Sequence, residues 1–253
     1  HAPGTGAYTQ SPGMPFIRQA VADFIAKRDG IPASAARVIL TDGASKGAQL
    51  VLTALLRDSR DGIMIPIPQY PLYSASLTLL GGRAIGYFLD ERNSWQLSEE
   101  ILTESLARAR QNGTNAVGIV VINPGNPTGA VLTRENIEMI IGFARRHGLA
   151  VIADEVYREF VFDGGAVRSF TRYADLANRI IVVDSVSKRF NACGVRIGCL
   201  ATANREVLDV TLRFCQARLS VATAEQRMVI PMLTDGRSYS EQLCVEYQRR
   251  RDA

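Results

Sequence analysis

Seven short runs dominated by Val, Ile and Leu recur along the 253 residues, most of them followed by a helical stretch. They are "RVILT" (37–41), "GIMIPI" (62–67), "RAIGYFL" (83–89), "AVGIVVIN" (116–123), "LAVIADE" (149–155), "RIIVVDS" (179–185) and "RIGCLATA" (196–203). A strand that is apolar on successive residues needs cover on both of its faces. Strands joined by helices run parallel, because a parallel pair needs a long crossover. The chain is therefore expected to be α/β and three-layered, a mostly parallel sheet with helices on both faces. The connecting stretches agree. "SKGAQLVLTALL", "YPLYSASLTLLG", "SEEILTESLARARQ", "TRENIEMIIGFARRHG" and "NREVLDVTLRFCQARL" carry apolar residues at helical spacing, and "GMPFIRQAVADFIAKRDG" before them ends at Gly30, a stop signal.

Composition removes several function classes. The net charge is only +4 with both signs interspersed, and the Arg-rich "QRRRD" lacks aromatic interleaving, so no nucleic-acid partner is expected. No run approaches the ~18 uninterrupted apolar residues of a membrane span. The four cysteines, Cys193, Cys199, Cys215 and Cys244, form no CxxC pair, which fits a reducing, cytoplasmic setting. His1 and His147 are too few and too far apart for a metal site or a Ser-His triad, so no metal is expected. The chain starts at His1 and stops inside the helical pattern of "RRRDA", which suggests a piece of a longer protein.

Ligands of such sheets sit at the carboxyl ends of the strands. Unusual polar loops collect there: "TDGASKG", "PIPQYPLY", "NPGNPTG", "DEVY" and "DSVSK". In "NPGNPTG" (123–129), turn-forming residues abut a buried strand and would offer the Asn126 amide to a ligand. In "ADEVY", period-2 alternation puts Asp154 and Glu155 on opposite faces, so one carboxylate points inward. Its burial demands a positive partner, either an internal arginine or a protonated ring nitrogen held by Asp154, with the Tyr157 hydroxyl nearby. The strand-to-helix turn "TDGASKGA" (41–48) presents free amides and a helix dipole to which phosphate is drawn.

Only three of the 29 basic residues are lysines: Lys27, Lys46 and Lys188. Lys27 falls on the polar side of its helix, and Lys46 in the first turn of another. Lys188 follows Ser185 and Ser187 and precedes Arg196, two hydroxyls and a fork-shaped cation suited to a phosphate dianion. An amine among cations and apolar groups loses proton affinity and attacks aldehydes. An aldehyde, a phosphate and a basic ring nitrogen together describe pyridoxal 5′-phosphate, joined to Lys188 as a Schiff base. Asp154 would keep the ring nitrogen protonated, and Tyr70 is the candidate to stack on the ring.

"GAYTQSPG", "TDGASKG", "PIPQYPLY", "NPGNPTG", "ADEVY" and "SVSKRFNACGVRIG" together resemble the class I/II aminotransferases of pyridoxal-phosphate fold type I, over nearly the whole chain and in the family's order. The middle is most similar to the alanine branch, whereas "EVYREF" and "SVSKRF", with Arg196 only eight residues after Lys188, lean toward aspartate-type relatives. The resemblance implies that Lys188 is also the proton shuttle, and that Asn126 and Tyr157 bond the ring's phenolic oxygen. It implies that Ser45, Ser185 and Arg196, with the Ala44 backbone, hold the phosphate. It implies a homodimer in which Tyr8 reaches the neighbouring site. It further implies amino acid and 2-oxo acid substrates, 2-oxoglutarate among them, exchanged by a ping-pong mechanism. On this reading residues 1–13 are a connecting segment and 14–235 the cofactor-binding large domain. Residues 236–253 would begin a helix leading to a small domain largely absent from this chain, and the arginine that clamps the substrate carboxylate would lie beyond Ala253. A lyase on the same fold, or a non-catalytic pyridoxal-phosphate-binding regulatory domain, shares the same motifs.

Overall fold

The computed structural model describes residues 6–32 and 34–253. Seven strands form one sheet: β1 (Val38–Thr41), β2 (Asp61–Ile67), β3 (Arg83–Phe88), β4 (Asn115–Ile122), β5 (Ala150–Asp154), β6 (Ile180–Ser185) and β7 (Gly198–Thr202). Their order is β1-β7-β6-β5-β4-β2-β3. All neighbours pair in parallel except β7, which runs antiparallel to both β1 and β6. The expected α/β sheet is present, and the seven apolar runs are its strands.

The helices are α1 (Pro15–Asp29), α2 (Gly43–Leu55), α3 (Leu72–Leu79), α4 (Glu99–Gln111), α5 (Arg134–His147), α6 (Val186–Arg189), α7 (Arg205–Arg218), α8 (Thr223–Asp235) and α9 (Arg237–Asp252). Alternate strand residues feed two cores. Ile119, Val121, Val151, Ala153 and Val182 pack against α4 and α5 through Leu102, Leu106, Ile137, Ile140 and Phe143. Val120, Ile152, Ile181 and Val183 pack the other way, onto Leu50, Val51, Tyr73, Leu77 and Val207 of α2, α3 and α7. Each fully buried aliphatic side chain contributes about 1.5–3 kcal/mol, so strands apolar on both faces are held between two helix layers. A third core joins α1 and α8 to the β1–β7 edge through Ile17, Val21, Ile25, Leu40 and Val229.

Local signals set the helix ends. Thr133 caps α5 by accepting from the Asn136 N–H at 3.1 Å, and Gly148 closes it at φ 69°. Pro15 opens α1 and Gly30, at φ 67°, ends it. Helix α8 carries Pro231 in its interior, which breaks the periodic pattern on which the expected helices rest. No helix among the described residues is long and apolar enough to cross a membrane.

The antiparallel β7 is what assembles the site. Parallel strands β4, β5 and β6, with β1, deliver their carboxyl ends to one edge of the sheet. Because β7 is reversed, it delivers its amino end there, with Gly198 paired to both Thr41 and Ser185. Arg196, two residues upstream of Gly198, is thereby carried into the same cluster of loops.

Candidate active site

One cavity of about 320 Å³ opens at this edge, lined by Ala44, Ser45, Tyr70, Asn126, Asp154, Tyr157, Ser185, Ser187, Lys188 and Arg196 with Leu72, Ile122, Val156 and Cys193. Every site residue expected from the sequence is therefore brought together except Tyr8, which stands outside the cavity and is 81% exposed. Asn126 and Tyr157 face each other, the amide Nδ2 lying 3.5 Å from the phenol oxygen.

Asp154 ends β5 at the cavity floor. It accepts a 2.7 Å hydrogen bond from the Tyr73 hydroxyl and a 3.2 Å bond from the Val156 N–H. No cation among the described residues pairs with it. Desolvation pushes its carboxyl up to about 6; the two hydrogen bonds oppose that rise, and the nearby Asp184 and Glu155 carboxylates add to it. A shielded carboxylate with neutral donors and no counter-charge is matched to a cationic group from a ligand, such as a protonated ring nitrogen. The internal arginine pairing considered from sequence belongs instead to its neighbour. Glu155 points the other way, buried, taking the Arg158 guanidinium at 2.9 Å, the Ser169 hydroxyl at 2.7 Å and the Phe170 N–H at 3.1 Å.

The first turn of α2 lines the cavity through Ala44 and Ser45. Its N-cap residue, Asp42, makes no side-chain cap bond and is engaged by Arg218, so the side chain leaves the first amides unsealed. Gly43 sits at φ 80°, and a Cβ there would collide with the Arg196 guanidinium. A Cβ on Gly198 would lie 2.7 Å from the Ala44 nitrogen. Glycine at both positions lets the helix start, the β7 entry and Arg196 crowd together. Arg196 itself adopts a left-handed backbone, φ 56°, uncommon for a non-glycine residue. That turn lays its guanidinium against the Cys193 carbonyl at 2.9 Å and the Asp42 carbonyl at 3.3 Å. The Ser185 hydroxyl caps α6 by accepting from the Ser187 N–H at 3.0 Å, and lies 2.7 Å from the Ser187 hydroxyl. Amides, hydroxyls and a guanidinium converging on one pole suit a dianion.

Lys188 lines the same cavity. Its Nζ is 5.7 Å from the centre of the Tyr157 ring and 3.8 Å from the Cys193 sulfur, and no carboxylate among the described residues pairs with it. An amine without a counter-ion is free to react. The residues present fit pyridoxal 5′-phosphate, with a lone carboxylate for the ring nitrogen, a donor-rich helix start for the phosphate and an amine in the same cavity.

The model of "Aminotransferase class I and II" matches residues 2–253. The chain belongs to that aminotransferase family. Among its relatives, glutamate–glyoxylate aminotransferase 1 of Arabidopsis thaliana is 46% identical over 159 residues, covering 63% of this chain and 33% of the relative. Alanine aminotransferase 2 of Panicum miliaceum is 44% identical over 202 residues, covering 77% and 42% respectively. Alanine aminotransferase from Pyrococcus furiosus superposes with a TM-score of 0.87 at 28% identity, over 98% of this chain and 62% of that one. The matched part of the chain thus spans between about a third and a half of these curated relatives' own length.

Two residues of this aminotransferase site escaped the sequence analysis. Tyr73 follows Tyr70 by three residues, inside α3 whereas Tyr70 precedes that helix; only the fold shows that its hydroxyl reaches Asp154. Cys193 lies within the "SVSKRFNACGVRIG" stretch, but nothing in the sequence marks its side chain for the cavity. Beside the main cavity, past Lys188 and Tyr157, a wider cleft of about 620 Å³ is bordered by Phe160, Phe162 and, from α9, Tyr247, Arg250 and Arg251. Helix α9 lies along the segment after β5: Tyr247 packs edge-on to Phe160 and Arg251 pairs with Asp163 at 2.8 Å.

Proposed function

We propose that this chain is the cofactor-binding body of a pyridoxal-phosphate-dependent aminotransferase. It would move the amino group of an L-amino acid, with alanine favoured, to 2-oxoglutarate in a ping-pong exchange, one 2-oxo acid leaving before the second enters. The observation that carries the reading is the unpaired, shielded carboxylate of Asp154 sharing one cavity with the unpaired amine of Lys188. The likeness to alanine and glutamate–glyoxylate aminotransferases supports the substrate class.

When bound, the cofactor supplies a protonated ring that accepts the electrons released at the substrate Cα. The chain's own residues do the rest. Asp154 holds the proton on the ring nitrogen, and Tyr73 holds Asp154. Asn126 and Tyr157 orient the ring through its phenolic oxygen, while Tyr70 covers a face. Ser45, Ser185, Ser187 and Arg196, with the Ala44 amide, grip the phosphate. Lys188 would hold the cofactor through its amine and would move the proton to and from the substrate Cα, a role worth ~10²–10⁴-fold in rate. Tyr8, exposed and outside its own cavity, reaches the partner's phosphate in a homodimer, and the protein works in the cytoplasm.

The test uses the full-length protein. With pyridoxal 5′-phosphate it is expected to develop Schiff-base absorbance, and borohydride is expected to fix the label on Lys188. L-alanine with 2-oxoglutarate is expected to give equal amounts of pyruvate and glutamate. Lys188→Ala is expected to abolish both the band and the exchange. Release of ammonia without glutamate would favour a lyase, and a label elsewhere would overturn the assignment.

A further inference from the structure

Behind the cavity, on the side of the sheet edge facing α1, lies a buried ion network. Arg28, in the last turn of α1, is its hub, with a side chain only 12% exposed. Its guanidinium donates to Asp184 at 3.0 Å and to Asp29 at 3.3 Å, and stands 4.0 Å from both Glu155 and Glu159. Arg189 bonds Asp184 at 2.8 Å and Glu159 at 2.9 Å. Arg158 bonds Glu155 at 2.9 Å and also pairs with Asp29. Thr171 donates to Asp29 at 3.0 Å, and the Phe24 ring underlies both Arg28 and Arg189, at 5.3 and 4.9 Å. The Cys199 thiol of β7, neutral and buried, completes the wall against Asp184.

The placement of these groups along the chain carries the inference. Glu155 directly follows Asp154, and Arg189 directly follows Lys188. The network therefore clamps the immediate chain neighbours of the two residues on which the chemistry depends. Among the described residues, Arg28 is the cation that touches both the Glu155 and the Asp184 branches. Four carboxylates (Asp29, Glu155, Glu159, Asp184) face three guanidiniums (Arg28, Arg158, Arg189).

We propose that Arg28 is a positioning residue for this site: it ties the end of α1 to the chain neighbours of Asp154 and Lys188 and balances the carboxylates behind them. It rests on the proposed function only for its link to the cofactor; its effect on Asp154 is independent of it. Without Arg28, two guanidiniums face four carboxylates, and the field at the cavity floor turns more negative. A negative field favours the protonated forms of both the Asp154 carboxyl and the Lys188 Schiff base, so both titrations move up.

The experiment compares the full-length protein with Arg28→Met, Arg28→Lys and Glu159→Gln. Two pH titrations are recorded: the Schiff-base absorbance of the pyridoxal-phosphate-loaded protein, and the ¹³C carboxyl resonance of Asp154 in the cofactor-free protein. Arg28→Met is expected to raise both midpoints by about half to one pH unit, less than a direct contact would give because other charges intervene. Arg28→Lys is expected to restore most of the difference. Glu159→Gln removes a half-exposed carboxylate and is expected to shift both midpoints down by a few tenths of a unit. Midpoints of Arg28→Met equal to those of the parent, or shifts of the same sign in Arg28→Met and Glu159→Gln, would overturn the proposal. Should Arg28→Met fail to fold, Glu159→Gln decides: an unchanged Asp154 midpoint sinks the idea. A parent without any Schiff-base band would instead sink the proposed function, leaving the Asp154 titration to judge Arg28.

Discussion

Two aspartates close neighbouring strands of the same sheet, and they are opposites. Asp184, at the end of β6, is buried, yet Arg189 and Arg28 outweigh the cost of desolvation and hold its carboxyl down at about 2. Asp154, at the end of β5, meets the Tyr73 hydroxyl and a backbone amide, and desolvation lifts it to about 6. Identical side chains at the ends of adjacent strands differ by several units because one faces a closed network and the other an open cavity. A closed ion network is a device for holding loops in place. A shielded carboxylate with no cation is an unfinished interaction, and unfinished interactions mark where a ligand completes the structure.

The comparison breaks most visibly at Asp184. Asp184→Asn leaves Arg189 and Arg28 facing a neutral amide in a buried setting, and the expected loss is about 3–5 kcal/mol in urea unfolding. The sign with pH follows from the depressed value. The stabilisation is present above the unfolded carboxylate range, near 4, and disappears as pH falls toward 2, so parent and variant converge in acid.

Asp154→Asn is expected to act in the opposite direction. A carboxyl whose native value lies above its unfolded one opposes folding once ionised, so the penalty is absent below about pH 4 and full above about 6. In cofactor-free protein at pH 7 the variant is expected to be more stable by roughly 3 kcal/mol, while pyridoxal-phosphate-dependent turnover collapses. Equal or lower stability of Asp154→Asn across that pH range would remove the distinction between the two aspartates.

Tyr73→Phe gives the smallest and sharpest change. It deletes one hydroxyl from Asp154, worth about 1 kcal/mol, and so is expected to weaken cofactor binding about fivefold in a spectroscopic titration. Because that hydrogen bond favours the ionised carboxyl, its loss moves the Asp154 midpoint further up. A midpoint that falls would show that the hydroxyl does not donate to the carboxylate.

Much of this molecule was legible from the order of its residues. Apolar runs such as "VILT" and "IIVV" read as strands because burial on both faces leaves no alternation, and only a covered sheet tolerates that. Polar residues placed straight after such runs read as site residues, and Asn126, Asp154, Tyr157, Ser185 and Lys188 do share one cavity. Helix α8 was not legible, since Pro231 interrupts a pattern that tertiary packing against α1 overrides.

Sequence alone determined the strands, the polar loops at their ends and the lysine that joins them in one cavity, because these depend on local periodicity and on residue type. It left open which member of "DE" would be paired and which left bare. Only the tertiary structure decided that, by bringing Arg28 from α1 and Arg158 to Glu155 and Asp29 while leaving Asp154 the neutral Tyr73 hydroxyl and a backbone amide. It likewise decided the donor-rich pole of the cavity, by reversing β7 so that Arg196 enters beside Gly43. The reason is physical: a side chain's charge state is set by what lies within a few ångströms, and those neighbours come from distant parts of the chain.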